Sequence, residues 1–179
     1  MSRALLDLGD GIEVRVLEPD DAEDVFALVD ANRGQLRPWM PWVDATEGPA
    51  DTRAFIERDR AADGMDALGM YVEGRYVGGI GLRPDAAHGD AEIGYWVGAT
   101  HEGRGLVTRA CRALIDRAFG DLGLHRVTIR VAPDNARSRA IPERLGFREE
   151  GVMREAGRSA LGHHDLVVYG LLDREWPAS

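Results

Sequence analysis

The stretch Ala91–Phe119, AEIGYWVGATHEGRGLVTRACRALIDRAF, decides how this chain is read. Its first seven residues have the character of a strand. Glycines follow at 98, 103 and 105, and then Leu106, Val107, Ala110, Cys111, Leu114, Ile115, Ala118 and Phe119 recur at three- and four-residue spacing, the mark of an amphipathic helix. A strand feeding a glycine-bearing loop that opens into a helix is suited to bind an anion. The first amides of the helix have no intrahelical partner, and the aligned peptide dipoles leave partial positive charge there. Gly103 and Gly105 would let a phosphate approach the backbone without meeting a Cβ. Two familiar phosphate loops do not fit: no Gly-Lys-Ser/Thr follows, and Thr108 stands where a dinucleotide fingerprint needs its third glycine. On spacing alone the segment is either an anion loop or a plain strand-to-helix turn with two glycines.

Working outward, Ile12–Leu17 alternates apolar and polar like a half-buried strand, and Pro19-Asp20-Asp21 opens a helix. Residues 33–48 form a loop rich in Pro and Trp, and a second helix starts near Pro49. Met65–Pro84 reads as two strands joined at Glu73-Gly74-Arg75, with Ala91–Val97 as a third. Beyond the central helix come a strand at Arg126–Val131, a short helix around Asn135–Leu145 stopped by Gly146, and closing strands at Phe147–Val152 and Asp165–Leu172. The order is β-α-α-β-β-β-α-β-α-β-β with no repeat and no linker, as expected of one mixed α/β domain over residues 1–179.

The length of 179 residues suits one domain, and a formal charge of −9 argues against a binder of nucleic-acid backbone. There is no lysine, so catalytic-lysine chemistry is excluded, and the single cysteine, Cys111, excludes an internal disulfide or a CxxC site. The N-terminal MSRALLDLGDG has no basic segment followed by an apolar run, and nothing later approaches a membrane span. The expectation is a soluble cytoplasmic protein with no membrane partner. His163-His164-Asp165 does not suggest a metal, since adjacent strand residues point to opposite faces, and no metal cofactor is expected.

EIGYWV, EGRGLVTRACRALIDRAF and HRVTIRVAPDNARSRAIPERLGF, with LRPWMPWVD before them and HHDLVVYGLLDREW after, resemble the GNAT superfamily of N-acetyltransferases. More narrowly they resemble the RimJ/RimL-type ribosomal-protein N-terminal acetyltransferases, in the right order over nearly the whole chain. The resemblance implies the GNAT fold, a mixed, mostly antiparallel twisted sheet splayed between two central strands with helices on both faces. It also implies acetyl-CoA as co-substrate and an amine acceptor, which in the RimJ/RimL type is a protein N-terminus. Relatives often form dimers, so a homodimer or higher homo-oligomer is compatible, but nothing in the sequence marks an interface.

Residue by residue, the resemblance lays the cofactor pyrophosphate on Gly103, Arg104, Gly105, Leu106, Val107 and Thr108. Glu102 stands where the family has Gln or Arg, and its carboxylate is expected to point away from the phosphates; Arg104 or Arg109 would offset their charge. Pantetheine would run along Trp96 and Val97, with an amide near Val97 as oxyanion donor. Asn135 matches a pantetheine contact and Ser138 a general acid for the leaving thiolate, although Asp134 or Asn135 would also cap a helix. Pro142 is expected to distort that helix. Glu92, ten positions before Glu102, matches the catalytic glutamate of many relatives, while the glutamate that some RimL-type enzymes use falls here on Gly157.

On the acceptor side, Arg37, Trp39, Trp42, Tyr95 and His164 are the candidate substrate contacts. For the aromatic residues, core packing competes with a pocket role. Acetylation of a small amine, a silent acyl-CoA-binding module and a domain that binds no cofactor are the alternatives to a protein N-terminal acetyltransferase.

Overall fold

The computed structural model describes residues 5–62 and 67–177. Eight strands form one sheet: β1 (Leu6–Asp7), β2 (Ile12–Val16), β3 (Leu68–Val72), β4 (Arg75–Asp85), β5 (Asp90–Val97), β6 (Arg126–Val131), β7 (Arg148–Ser159) and β8 (Gly162–Leu172). They lie in the order β1-β2-β3-β4-β5-β6-β8-β7. Only β5 and β6 run parallel, and they pair only from Asp90–Glu92 to Arg126–Thr128 before diverging. That divergence is the splay the resemblance implies.

Helix α4 (Leu106–Phe119) buries Leu106, Val107, Ala110, Cys111, Leu114, Ile115 and Ala118 against one sheet face, where Val14, Met70, Leu82, Ile93, Val127 and Ile129 meet them. Each fully buried Leu or Ile contributes roughly 1.5–3 kcal/mol, so a charge at Leu114 would disrupt the central layer. On the other face, helices α1 (Ala22–Ala31) and α3 (Pro49–Ala61) cover the first half of the sheet through Ala22, Val25, Ile56 and Tyr71. Helix α5 (Ala136–Arg144) lies beside β6 and is tied to β8, because Tyr169 accepts from Arg139 Nε at 2.8 Å and donates to Glu143 at 3.0 Å.

The turn expected at Glu73-Gly74 is present, with φ of 50° and 75° at the two residues. Three features differ from the sequence reading. A two-residue β1 precedes β2, and a single helical turn, α2 (Arg33–Leu36), interrupts the Pro/Trp loop. Strand β7 runs to Ser159 instead of stopping at Val152, and β8 begins at Gly162. Two register shifts in β7 and a positive φ of 50° at Glu155 break the period-two pattern, which is why the extension is hidden in the sequence. The expected strand start at Met65 lies outside the described residues.

Candidate active site

The divergence of β5 from β6 leaves a cavity of about 1340 Å³ between β5, the loop before α4, and α5. At one end the chain turns at Gly103 (φ 72°) and at Gly105 (φ 73°), the residue that begins α4. A Cβ at either glycine would meet no atom within 4 Å. The glycines are there for the left-handed backbone, and the space in front of them is open to a ligand. Gly103, Gly105, Leu106, Val107 and Thr108 line this end, and Arg144 of α5 donates to Thr108 Oγ1 at 3.1 Å.

The middle of the cavity is walled by Tyr95, Trp96, Val97, Asn135 and Ser138. Asn135 is the N-cap of α5, its Oδ1 accepting from the Ser138 amide at 3.2 Å, so its capping role is real and coexists with its place on the wall. Tyr95 Oη donates to the Ser138 carbonyl at 2.9 Å, and Ser138 Oγ donates to Tyr95 Oη at 3.3 Å. Gln35, Trp39 and Met40 also line the cavity. Trp42, about a third exposed, leans on Trp96 with ring centroids 6.0 Å apart, and Trp96 in turn meets Tyr76.

Five of the residues named from sequence do not line this cavity, Trp42 among them. Arg104 is outside it. Arg37 forms a two-point ion pair with Asp44 that staples its own loop, at 2.7 and 3.1 Å. Glu92 is gripped by Arg130 through both carboxylate oxygens, the Nε bond measuring 2.9 Å, and Arg83 approaches to 3.8 Å. Arg130 therefore engages both carboxylate oxygens of Glu92. His164 sits on β8, three residues beyond the Val131–Val167 pair at the end of β6. It faces Gly157 of β7 so closely that a Cβ on Gly157 would stand 2.4 Å from its Nε2. Arg109, offered for phosphate charge, is instead spent on the Leu8 carbonyl and on Asp10 at 3.1 Å.

Sequence reasoning missed Gln35, Arg137 and Arg144, which all line the cavity. Arg137 and Arg144 are seven apart on α5, a spacing that places both on one helical face and was available as a signal. Nothing in the sequence marks Gln35, which reaches Val97 O at 3.3 Å and Glu102 Oε1 at 2.5 Å. Glu102 also pairs with Arg137. His101, at the same end, has its imidazole pushed below the usual range by burial and then by Arg104. Among the described residues no group of three or more His, Cys, Asp or Glu could hold a metal ion, and no helix is long and apolar enough to cross a membrane.

Splayed strands over a positive-φ glycine loop at a helix N-terminus define an enzyme that binds an acyl-CoA and transfers its acyl group. Residues 12–148 match the acetyltransferase (GNAT) domain family, and the chain belongs to it. It is an acetyl-CoA-dependent N-acetyltransferase. It is 42% identical over 174 residues to YdaF of Bacillus subtilis, provisionally named a ribosomal N-acetyltransferase, across 92% of this chain and 93% of that one. Among solved structures it resembles Mycobacterium smegmatis RimJ in complex with CoA-disulfide, with a TM-score of 0.86 and 27% identity over 94% and 85% of the two chains. It also resembles the microcin C7 self-immunity acetyltransferase MccE, solved with acetyl-CoA and AMP, with a TM-score of 0.85 and 29% identity over 92% and 94%.

Proposed function

We propose that this enzyme acts in the cytoplasm on the α-amine of a protein N-terminus, such as that of a ribosomal protein. The observation that carries the reading is one cavity lined by the positive-φ glycines Gly103 and Gly105, by the aromatic side chains of Trp39 and Trp96, and by Tyr95 and Ser138. The relation to YdaF supports a ribosomal acceptor. The exposed Trp42 beside Trp96 offers a ledge for the residues that follow the amine.

Acetyl-CoA supplies the activated thioester. The amides of the loop and of the first turn of α4 hold its pyrophosphate, with Arg137 and Arg144 nearby on α5, and an amide near Val97 polarises the thioester carbonyl. The ammonium must lose a proton before its nitrogen attacks the carbonyl carbon. We assign that proton to His164, which stands outside the cavity lining on β8 and would receive it through water; its part-buried imidazole over Gly157 has no hydrogen bond or ion pair among the described residues. Glu92, held by Arg130 outside the cavity lining, does not take the proton in this reading. As the C–S bond breaks, Ser138 Oγ gives its proton to the thiolate, and the second amine proton replaces it.

The test is CoA release with three acceptor panels: ribosomal-protein peptides with free N-termini, N-blocked lysine peptides, and small amines. Preference for the first supports the reading. Preference for small amines, the acceptor class of a second kind of GNAT enzyme, ends the protein-N-terminus reading and leaves the chemistry intact.

A further inference from the structure

Pro142 lies inside α5, buried, at the seventh of its nine residues. A proline has no amide hydrogen, so the carbonyl four residues earlier loses its helical donor. That carbonyl belongs to Ser138. In this structure it is not left bare, because Tyr95 Oη reaches across from β5 and donates to it at 2.9 Å. The same phenol oxygen accepts from Ser138 Oγ at 3.3 Å, while the Ser138 amide is held by Asn135 at 3.2 Å. All three polar groups of Ser138 thus depend on one tyrosine and one cap, and both residues line the cavity. Burial, more than any other influence, pushes the Tyr95 phenol well above its usual range, so it stays a protonated donor throughout the working pH range.

We infer that Tyr95 is a positioning residue that aims the Ser138 hydroxyl into the cavity, and that Pro142 creates the vacancy in α5 that lets it do so. The inference rests on the reading of Ser138 as proton donor to the leaving thiolate. A helix with alanine at 142 would close its own hydrogen bond onto the Ser138 carbonyl, and Tyr95 would lose its fixed partner. The arrangement exchanges a helical bond for a side-chain bond that fixes both the depth and the rotation of residue 138.

The experiment compares wild type, Tyr95→Phe, Tyr95→Phe with Pro142→Ala, and Ser138→Ala, using acetyl-CoA and hydroxylamine. Hydroxylamine is a small neutral nucleophile that enters the acceptor end whatever the natural acceptor is. Both kcat and the KM for acetyl-CoA are measured, with the melting temperature. Tyr95→Phe is expected to lower kcat roughly 10- to 100-fold, as misplaced catalytic groups do, with KM nearly unchanged and a lower melting temperature. Adding Pro142→Ala restores the helical donor, so the melting temperature recovers while kcat stays low. Recovery of kcat together with stability, or full kcat in Tyr95→Phe, overturns the inference. If Ser138→Ala keeps full kcat, the proton-donor reading itself falls; if only Ser138→Ala is slow, that reading stands and Tyr95 is dismissed.

Discussion

Glu102 and Arg137 are ion-paired across the cofactor end of the cavity, from the loop before α4 to the first turn of α5. Gln35 holds the other Glu102 oxygen at 2.5 Å, which links the acceptor-side turn α2 to the same carboxylate. Glu102, which lines the cavity, thus has both carboxylate oxygens engaged by protein partners.

Removing that charge should strengthen cofactor binding. Glu102→Gln frees the mostly exposed Arg137 to face the phosphates, and calorimetry should report a Kd for CoA about tenfold lower, equivalent to about 1.4 kcal/mol. Arg137→Ala leaves Glu102 unneutralised and should raise Kd by a similar factor, with the difference shrinking at high salt.

The two acceptor-face candidates should separate in kinetics. His164→Gln is expected to lower kcat/KM for a free-N-terminus peptide by roughly 10²- to 10⁴-fold, the range for loss of a general base. Glu92→Gln, which alters a carboxylate already engaged by Arg130, should stay within about tenfold of wild type under the usual scatter for a non-reacting group. The opposite ranking would return the base role to Glu92.

Cys111 is fully buried on the core face of α4, and burial pushes its thiol far above the usual range. The native protein should resist iodoacetamide at neutral pH and react stoichiometrically once unfolded in guanidinium, as followed by mass spectrometry.

Arg126 on β6 holds Glu150 on β7 across Gly170 of β8, where a Cβ would collide with the Glu150 carboxylate. The hydrogen bond from Arg126 is the main cause that keeps the Glu150 carboxyl below its ordinary range. A depressed carboxyl stabilises the fold above its unfolded value of about 4.3 and loses that contribution as pH falls through the lower folded value. Glu150→Gln should therefore be less stable near pH 7, by under about 1 kcal/mol after solvent screening. Denaturation curves of the two proteins should converge in the acid range.

Part of the cavity wall was legible in the chain alone. The three- and four-residue spacing of α4, the glycines at 103 and 105, and the Asn135-x-x-Ser138 segment are local signals, because helix periodicity, positive φ and capping are set by neighbours in sequence. The mixed, splayed character of the sheet followed from resemblance and the strand order from the structure, since period-two patterning says which residues share a face but not which strand lies alongside. The β7–β8 hairpin was underestimated because its register shifts erase that period.

What the amino-acid order determined by itself was most of the succession of elements, the glycine-bearing loop between strand and helix, and the absence of lysine and disulfide chemistry. Only the tertiary structure decided who partners whom: Glu92 with Arg130, Glu102 with Arg137 and Gln35, His164 over Gly157, and Tyr95 on the carbonyl that Pro142 leaves free. Most of these pairs are tens of residues apart, and His164 meets Gly157 only through strand register. Their meeting depends on how β5 and β6 diverge and how α5 lies beside them, and no local pattern of residues encodes that geometry.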